Sequence, residues 1–173
     1  MCAMDKDLQE AITLAAKMET DGMAFYQEAS EKVASPLGKL MFKSFIEDEK
    51  NHLKILDQLL HGMFDLSLDD AFQGTASARF KTVFEENRSV LDEEIKAGTG
   101  DIEAVEVAMD MEEKGVEHYR RAAGMARDEK LKRFFEQMAA EERWHYSILE
   151  KILVRLVDSG NWERFEAHGI MDG

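Results

Sequence analysis

The sequence predicts an all-α fold: a four-helix bundle with one long crossover connection, built from two repeated helical hairpins. Three observations carry this. The chain repeats itself with a constant shift of 93 residues. Met18, Glu19, Gly22, Tyr26 and Ala29 fall on Met111, Glu112, Gly115, Tyr119 and Ala122, and Phe42, Glu49, His52, Ile55 and Leu56 fall on Phe135, Glu142, His145, Ile148 and Leu149. Apolar residues recur at alternating steps of four and three, the spacing of helices that bury one stripe in a bundle. Residues 63–97 have no counterpart in the repeat, and a connection of that length lets the third helix start at the far end, parallel to the second. Two copies are too few for a solenoid. They read as hairpins packed face to face, each leaving a seam that only the other can cover.

The elements follow in order. The first helix is expected from Lys6 to about Ala34, with a seam of Leu8, Ile12, Ala15, Glu19, Gly22, Tyr26, Ala29 and Val33. Ser35 caps the second, Pro36 suits its first position, and Gly62 ends it. Its seam is Phe42, Phe45, Glu49, His52, Leu56 and Leu59. Phe80, Val83, Phe84, Leu91 and Ile95 place an extra helix in the crossover, from Ser77 to Ala97. Gly98-Thr99-Gly100 reads as a turn, and Asp101 as the cap of a third helix that runs to about Arg127. Its seam is Val105, Ala108, Glu112, Gly115, Tyr119, Ala122 and Ala126. Asp128, 93 residues after Ser35, caps a fourth helix that runs to about Asp158, with seam Phe135, Met138, Glu142, His145, Leu149, Ile152 and Leu156. One domain over 1–173 results: hairpin repeat 5–62, crossover 63–97, hairpin repeat 98–158 and a tail 159–173 in which Trp162 and Phe165 can dock.

Composition narrows the function classes. With 45% apolar residues, no stretch resembles a membrane span or a signal peptide. Cys2 is the only cysteine, so no disulfide forms within these residues and no four-cysteine iron or zinc site exists. That usage fits a reducing, cytoplasmic location. The formal net charge of −14 argues against nucleic acid, which needs a basic face. The 11 methionines read as core-gap fillers.

The seams contain residues that a seam should not. Glu19 and Glu112 interrupt runs of Leu, Ile, Val and Ala, and Glu49-x-x-His52 and Glu142-x-x-His145 interrupt Phe and Leu. A Glu three before a His recurs by chance in a chain this rich in Glu, so the weight rests on position. Burying isolated carboxylates costs many kcal/mol unless they are paired or bound to metal. Lys50, Lys114 and Arg143 lie off the seam, badly placed to pair with them. Two divalent cations would neutralise four glutamates, and two neutral imidazoles complete the set. Two Glu-x-x-His helices facing two single-Glu helices form the ligand set of a carboxylate-bridged dimetal site. The expected metal ligands are Glu19, Glu49, His52, Glu112, Glu142 and His145. A carboxylate and imidazole shell without thiolate suits Fe or Mn, with Zn an expected occupant of a purified sample.

Around them lie residues with two readings each. Gly22 and Gly115 leave space beside the metals for a small oxidant, or serve close helix packing. Tyr26 and Tyr119 reach a ligand carboxylate, or are plain core. Asp48 and Glu141, four before each His, orient an imidazole or face solvent. His61, His118 and His168 have no Glu three residues before them and are expected at the surface.

The pattern Glu19…Tyr26, Glu49-x-x-His52, Glu112…Tyr119, Glu142-x-x-His145 resembles the rubrerythrin-like branch of the ferritin-like di-iron carboxylate superfamily, over most of the chain. The resemblance implies the ferritin-like bundle, a centre of two Fe ions that reacts with hydrogen peroxide or dioxygen, and a homodimer or larger assembly. It also carries two departures. Full rubrerythrins have a rubredoxin-like domain with four cysteines, absent here, so the electron donor must be external, a rubredoxin-like protein or a small reductant. They also carry a further Glu on the third helix, where this chain has Gly115. The centre is thereby closer to a symmetric six-ligand site of the ferroxidase kind. The expected roles are terminal ligation by Glu19 and Glu112, bridging by Glu49 and Glu142, and one cap each from His52 and His145. The leading expectation is a non-haem di-iron oxidoreductase connected with oxidative stress. A ferroxidase or iron-handling protein, and a metal-stabilised interaction module without turnover, are the alternatives.

Overall fold

The computed structural model describes residues 6–33, 36–61 and 99–159, which form four α-helices and no strand. They are α1 (Lys6–Lys32), α2 (Pro36–Leu60), α3 (Thr99–Met125) and α4 (Glu129–Ser159). The extra crossover helix, the Ser35 cap, Gly62, Cys2, His168 and the tail with Trp162 and Phe165 all lie outside the described residues.

The helices form where the seams predict them. Every seam position of α1, α2 and α4 is buried, and so are those of α3 except the half-buried Ala126. Their ends differ from the sequence expectation by a residue or two, as fraying ends do. Val33, His61 and Ala126 lie just past the ends of α1, α2 and α3, yet their amides still bond Ala29, Asp57 and Ala122 carbonyls at 3.0–3.1 Å. At the start of α4, Asp128 caps as expected: its Oδ1 accepts from the amides of Lys130 (2.9 Å) and Leu131 (3.0 Å). The start of α3 is a correction. The helix begins at Thr99 and takes Gly100 into its first turn, so Asp101 lies inside the helix and is buried.

The first hairpin packs α1 on α2, the second packs α3 on α4, and the hairpins approach most closely along α1 and α3. One apolar cluster joins the end of α1 (Tyr26, Ala29, Val33) and the start of α2 (Met41, Phe42, Phe45) to Val105 and Ala108 of α3 and to Ile148, Leu149, Ile152 and Leu156 of α4. The other joins Leu8, Ile12 and Ala15 to Ile55, Leu56 and Leu59, to Tyr119, Ala122 and Ala123, and to Leu131, Phe134, Phe135 and Met138. So α2 and α3 start at the same end and run parallel, as in a bundle with one long crossover connection. The glutamates and histidines of the seams fill the layer between these two apolar clusters.

Contacts repeat with the sequence shift. Tyr26 stacks on Phe42 with ring centroids 5.7 Å apart, and Tyr119 on Phe135 at 6.3 Å, with interplanar angles of 23° and 26°. Phe25 meets Tyr26 edge-on and His118 meets Tyr119 the same way, both at 5.7 Å. These pairs relate the hairpins by a pseudo-twofold, α1 with α3 and α2 with α4.

Candidate metal centre

Each helix delivers its polar residues because they occupy seam positions that must point inward once the neighbouring turns bury their apolar side chains. Glu19 lies one turn from Ala15, and Glu112 one turn from Ala108. On α2 and α4 the three-residue spacing sets Glu and His on one face, a turn apart. All six side chains are buried, with His145 wholly inaccessible.

The structure gathers them into two overlapping groups of four. Glu19, Glu49, His52 and Glu142 each offer one ligand atom, and those atoms lie within 4.8 Å of one another. Glu49, Glu112, Glu142 and His145 do the same. Glu49 and Glu142 belong to both groups. Nδ1 of His52 lies 3.2 Å from Glu19 Oε2, 3.3 Å from Glu49 Oε2 and 3.4 Å from Glu142 Oε1. Nδ1 of His145 lies 3.4 Å from Glu112 Oε1 and 3.8 Å from Glu49 Oε1. The two imidazoles thus sit at opposite ends of a carboxylate cluster, their ring centroids 6.3 Å apart.

Electrostatics make the cluster costly without a cation. Among the described residues no Lys or Arg is buried. Lys50 and Lys114 are exposed and pair with Glu47 and Asp110, and Arg143 lies over the Tyr146 ring at 5.2 Å. Burial, and then the Glu19 charge, push Glu49 well above the ordinary carboxyl range. Burial, Glu19 and Glu112 do the same to Glu142. Burial opposes ionisation of Glu19 too, but the His52 charge and hydrogen bonds that include the Tyr119 hydroxyl bring it down to about 2. Glu112 is lowered against its own burial by His145 and by hydrogen bonds that include Tyr26. Burial works against charging both imidazoles, yet Glu19 raises His52 and Glu112 raises His145 further still. Three buried atoms at the centre find no hydrogen-bond partner: Glu112 Oε2, Glu142 Oε1 and His145 Nδ1. Buried polar atoms are normally satisfied. Carboxylate and imidazole lone pairs converging on one place fit divalent metal ions.

The surrounding residues hold this geometry across the hairpins. The Tyr26 hydroxyl donates to Glu112 Oε1, and the Tyr119 hydroxyl donates to Glu19 Oε1, so each tyrosine holds the glutamate of the opposite hairpin. Asp48 Oδ2 lies 3.3 Å from Nε2 of His145. Asp48 therefore meets the imidazole of the other hairpin rather than the one four residues along its own helix, because α2 turns it towards α4. Glu141 is buried, bonded by Gln137 at 3.1 Å, and its charge adds to the raising of His52.

A pocket of about 150 Å³ opens between α1 and α3 onto the cluster. Its floor is Glu19, Glu49, Glu112 and Glu142, its walls include Met18, Met111, Tyr26 and Tyr119, and Asp21 and Lys114 also line it. Gly22 and Gly115 lie on opposite sides, and the structure separates their roles. A Cβ at Gly22 would make ordinary contacts, 3.9 Å to Met111 Cε and 4.0 Å to Glu49 Cδ. At Gly115 it would press on Glu142, 3.2 Å from Cγ and 3.3 Å from Oε2. Gly115 thus makes room for the Glu142 side chain, and Gly22 leaves space in the pocket.

The remaining histidines divide. His61 is exposed and bonds the Asp57 carbonyl at 2.8 Å, as expected of a surface residue. His118 is a correction: it is buried, and its Nε2 lies 2.9 Å from the Ala11 carbonyl of α1. No periodic signal marked it, since it lies beside the seam of α3, where the helix turns towards α1. Asp48, Glu141 and Ser44 are likewise buried flank positions that the single-stripe reading of the seams does not reach.

Four helices with one crossover, a Glu on each of two and Glu-x-x-His on each of the other two, define the ferritin-like class of dimetal carboxylate proteins. A family model places the chain within that class. The model for rubrerythrin matches residues 10–154, and the chain belongs to the rubrerythrin family. No curated protein and no solved structure matches it. No helix among the described residues is long and apolar enough to cross a membrane.

Proposed function

We propose that this chain is a non-haem di-iron oxidoreductase that reduces hydrogen peroxide or dioxygen. The observation that carries the reading is the sharing of Glu49 and Glu142 by both four-donor groups, on the floor of an open pocket. Shared carboxylates would bridge two ions, Glu19 and Glu112 would each bind one, and His52 and His145 would cap one each through Nδ1. The oxygen and nitrogen donors suit Fe, with Mn or Zn as competitors. When bound, a ferrous pair supplies two electrons at one place.

The chain's own residues prepare that place. Tyr26 and Tyr119 hold Glu112 and Glu19, and burial followed by those carboxylate charges raises both phenols, so they remain donors at neutral pH. Asp48 fixes the ring of His145. The apolar layers on either side keep bulk water from the floor, while the pocket admits a small oxidant. Electrons for a second cycle would come from outside, from a rubredoxin-like protein or a small reductant. A cytoplasmic homodimer is the proposed setting.

The test is anaerobic loading with ferrous ion, then mixing with peroxide under stopped-flow absorbance. Two irons per chain should bind, each site should oxidise once, and turnover should resume only on adding a donor. Sustained peroxide reduction without a donor would contradict the reading, and rapid dioxygen release would point to a catalase-like site. A second reading, ferroxidation for iron handling, is favoured by Gly115, which provides no seventh ligand. It predicts that bound iron leaves the site after oxidation and that the native assembly is a large closed shell.

A further inference from the structure

The pocket above the candidate centre is larger and more apolar than hydrogen peroxide needs. Its volume is about 150 Å³. A water molecule's share of the liquid is about 30 Å³, and a cavity of about 150 Å³ takes a molecule the size of benzene, here less the share that the metal ions would fill. Its chemistry is divided in two. At the floor stand the carboxylates of Glu112 and Glu142, which would hold the metals on one side and face the pocket on the other. The walls carry the side chains of Met18 and Met111 and of two tyrosines whose hydroxyls are already committed to Glu112 and Glu19. The walls thus hold no free polar group for a hydrophilic substrate. Of the charged residues beside them, Asp21 pairs with Lys17 and Lys114 with Asp110 on their own helices, so they add no single-signed field. Gly22 keeps one wall empty, since nothing approaches its Cβ position closer than 3.9 Å.

A polar floor under apolar walls complements a molecule with a small polar head and a compact apolar body. We propose that this pocket takes a neutral, short-chain organic hydroperoxide of about four to six carbons, and that the protein reduces it to the alcohol and water. The inference rests on the peroxide-reduction reading and names its substrate class. In the reaction the O–O bond breaks, the carbon-bearing oxygen leaves as the alcohol, and the other leaves as water. The two electrons come from two equivalents of an external one-electron donor protein, and two protons come from water. A hydroperoxide bearing a carboxylate is disfavoured, since its charge would lose hydration between thioether and aromatic walls without a partner.

The zinc-loaded protein, which holds the donors without redox chemistry, is titrated with tert-butanol, and the methionine methyl NMR signals are followed. Met18 and Met111 should shift saturably, and the exposed Met125, at the far end of α3, should not. Gly22→Val fills the pocket and should abolish the shifts. Met18→Trp, which narrows the pocket without touching Gly22, should do so independently. With the iron-loaded protein and an electron donor, kcat/KM is then compared for tert-butyl hydroperoxide and hydrogen peroxide. The ratio should fall about tenfold or more in both variants, the discrimination one or two methylenes produce in a hydrophobic pocket. Absence of saturable shifts in the parent protein overturns the proposal. So does turnover of hydrogen peroxide but not of tert-butyl hydroperoxide, or a ratio that neither variant changes. Intact tert-butanol binding with no turnover of either peroxide overturns the peroxide-reduction reading and the reaction proposed here, while the pocket stands as an organic binding site.

Discussion

Asp48 and His145 come from different hairpins, yet Asp48 Oδ2 stands 3.3 Å from Nε2 of the imidazole. With the Nε2 proton directed at that carboxylate, Nδ1 is the nitrogen left to give its lone pair to a metal, and Nδ1 is the atom that faces Glu112 and Glu49. The carboxylate thus selects the ligand tautomer of a histidine it does not share a helix with. Asp48→Ala should weaken one metal position by about 10–100-fold, the usual cost of losing such a partner. A competition titration with a chelator should then resolve one weakened and one unchanged site. Two unchanged sites would remove Asp48 from the account.

The sharing pattern predicts unequal losses among ligand variants. Glu49 and Glu142 serve both groups, whereas His52 and His145 serve one each. Glu142→Ala should lose both metals and His52→Ala should keep one, as read by elemental analysis after desalting. Thermal stability in the presence of metal should fall in the same order. Binding at a hundredfold excess over Kd contributes about 3 kcal/mol per site. His61→Ala, at the surface, should change neither quantity, and equal metal content in all three variants would refute the assignment.

Acidity should act in opposite directions on the metal-free and metal-loaded protein. In the metal-free fold, burial and neighbouring charges raise Glu49 and Glu142 above 4.5, and Glu19 and Glu112 raise the imidazoles above 6.5 against the effect of their burial. The folded state then holds more protons than the unfolded one, so stability falls as pH rises above the ordinary carboxyl value of 4.5 and, for the imidazoles, above 6.5. Glu19 and Glu112 act the other way, but below 4.5, where their lowered values are lost on acidification. Metal displaces the extra protons, so affinity should rise with pH and loading should release acid. Melting curves across this range, with chelator and with metal, should slope oppositely. Parallel slopes would show that the carboxyls are ionised before metal arrives.

The two glycines should respond differently to alanine. Gly22→Ala adds a methyl in ordinary contact and removes a helix-interior glycine, so stability should rise, by at most about 1 kcal/mol. Gly115→Ala presses a methyl against Glu142 at 3.2 Å and should lower affinity at both metal positions. Gly115→Glu would add a carboxylate but begins from the same collision, so its metal content should fall below that of Gly22→Ala. Equal behaviour at the two positions would mean that Glu142 has another place to go.

Much of this was legible in the sequence because two periodicities coincide. The alternating step of four and three marked which residues of each helix turn inward, and the shift of 93 marked which inward residues do the same job twice. Glu19 and Glu112 stood out because a carboxylate in a run of Leu, Ile and Ala is costly to bury unless it is paired or bound to metal. Tyr26 and Tyr119 were placed on the right face, but a single helix pattern cannot say that each would reach the opposite hairpin. The same holds for Asp48, whose partner depends on how α2 and α4 face each other. His118, expected at the surface, is buried for a related reason: a bundle helix touches two neighbours, and the second contact edge is too narrow to leave a period of its own.

Each group of donors draws on both hairpins, and this bears on how the protein comes into being. Chains emerge from the ribosome N-terminus first. The first hairpin carries Glu19, Glu49 and His52, three members of one group, but the fourth member, Glu142, lies midway along α4. A half-made chain therefore presents an incomplete set of donors, and the complete set exists only when the final helix has docked. Metal capture would in this way be deferred until α4 has docked and the apolar layers on either side of the site have closed.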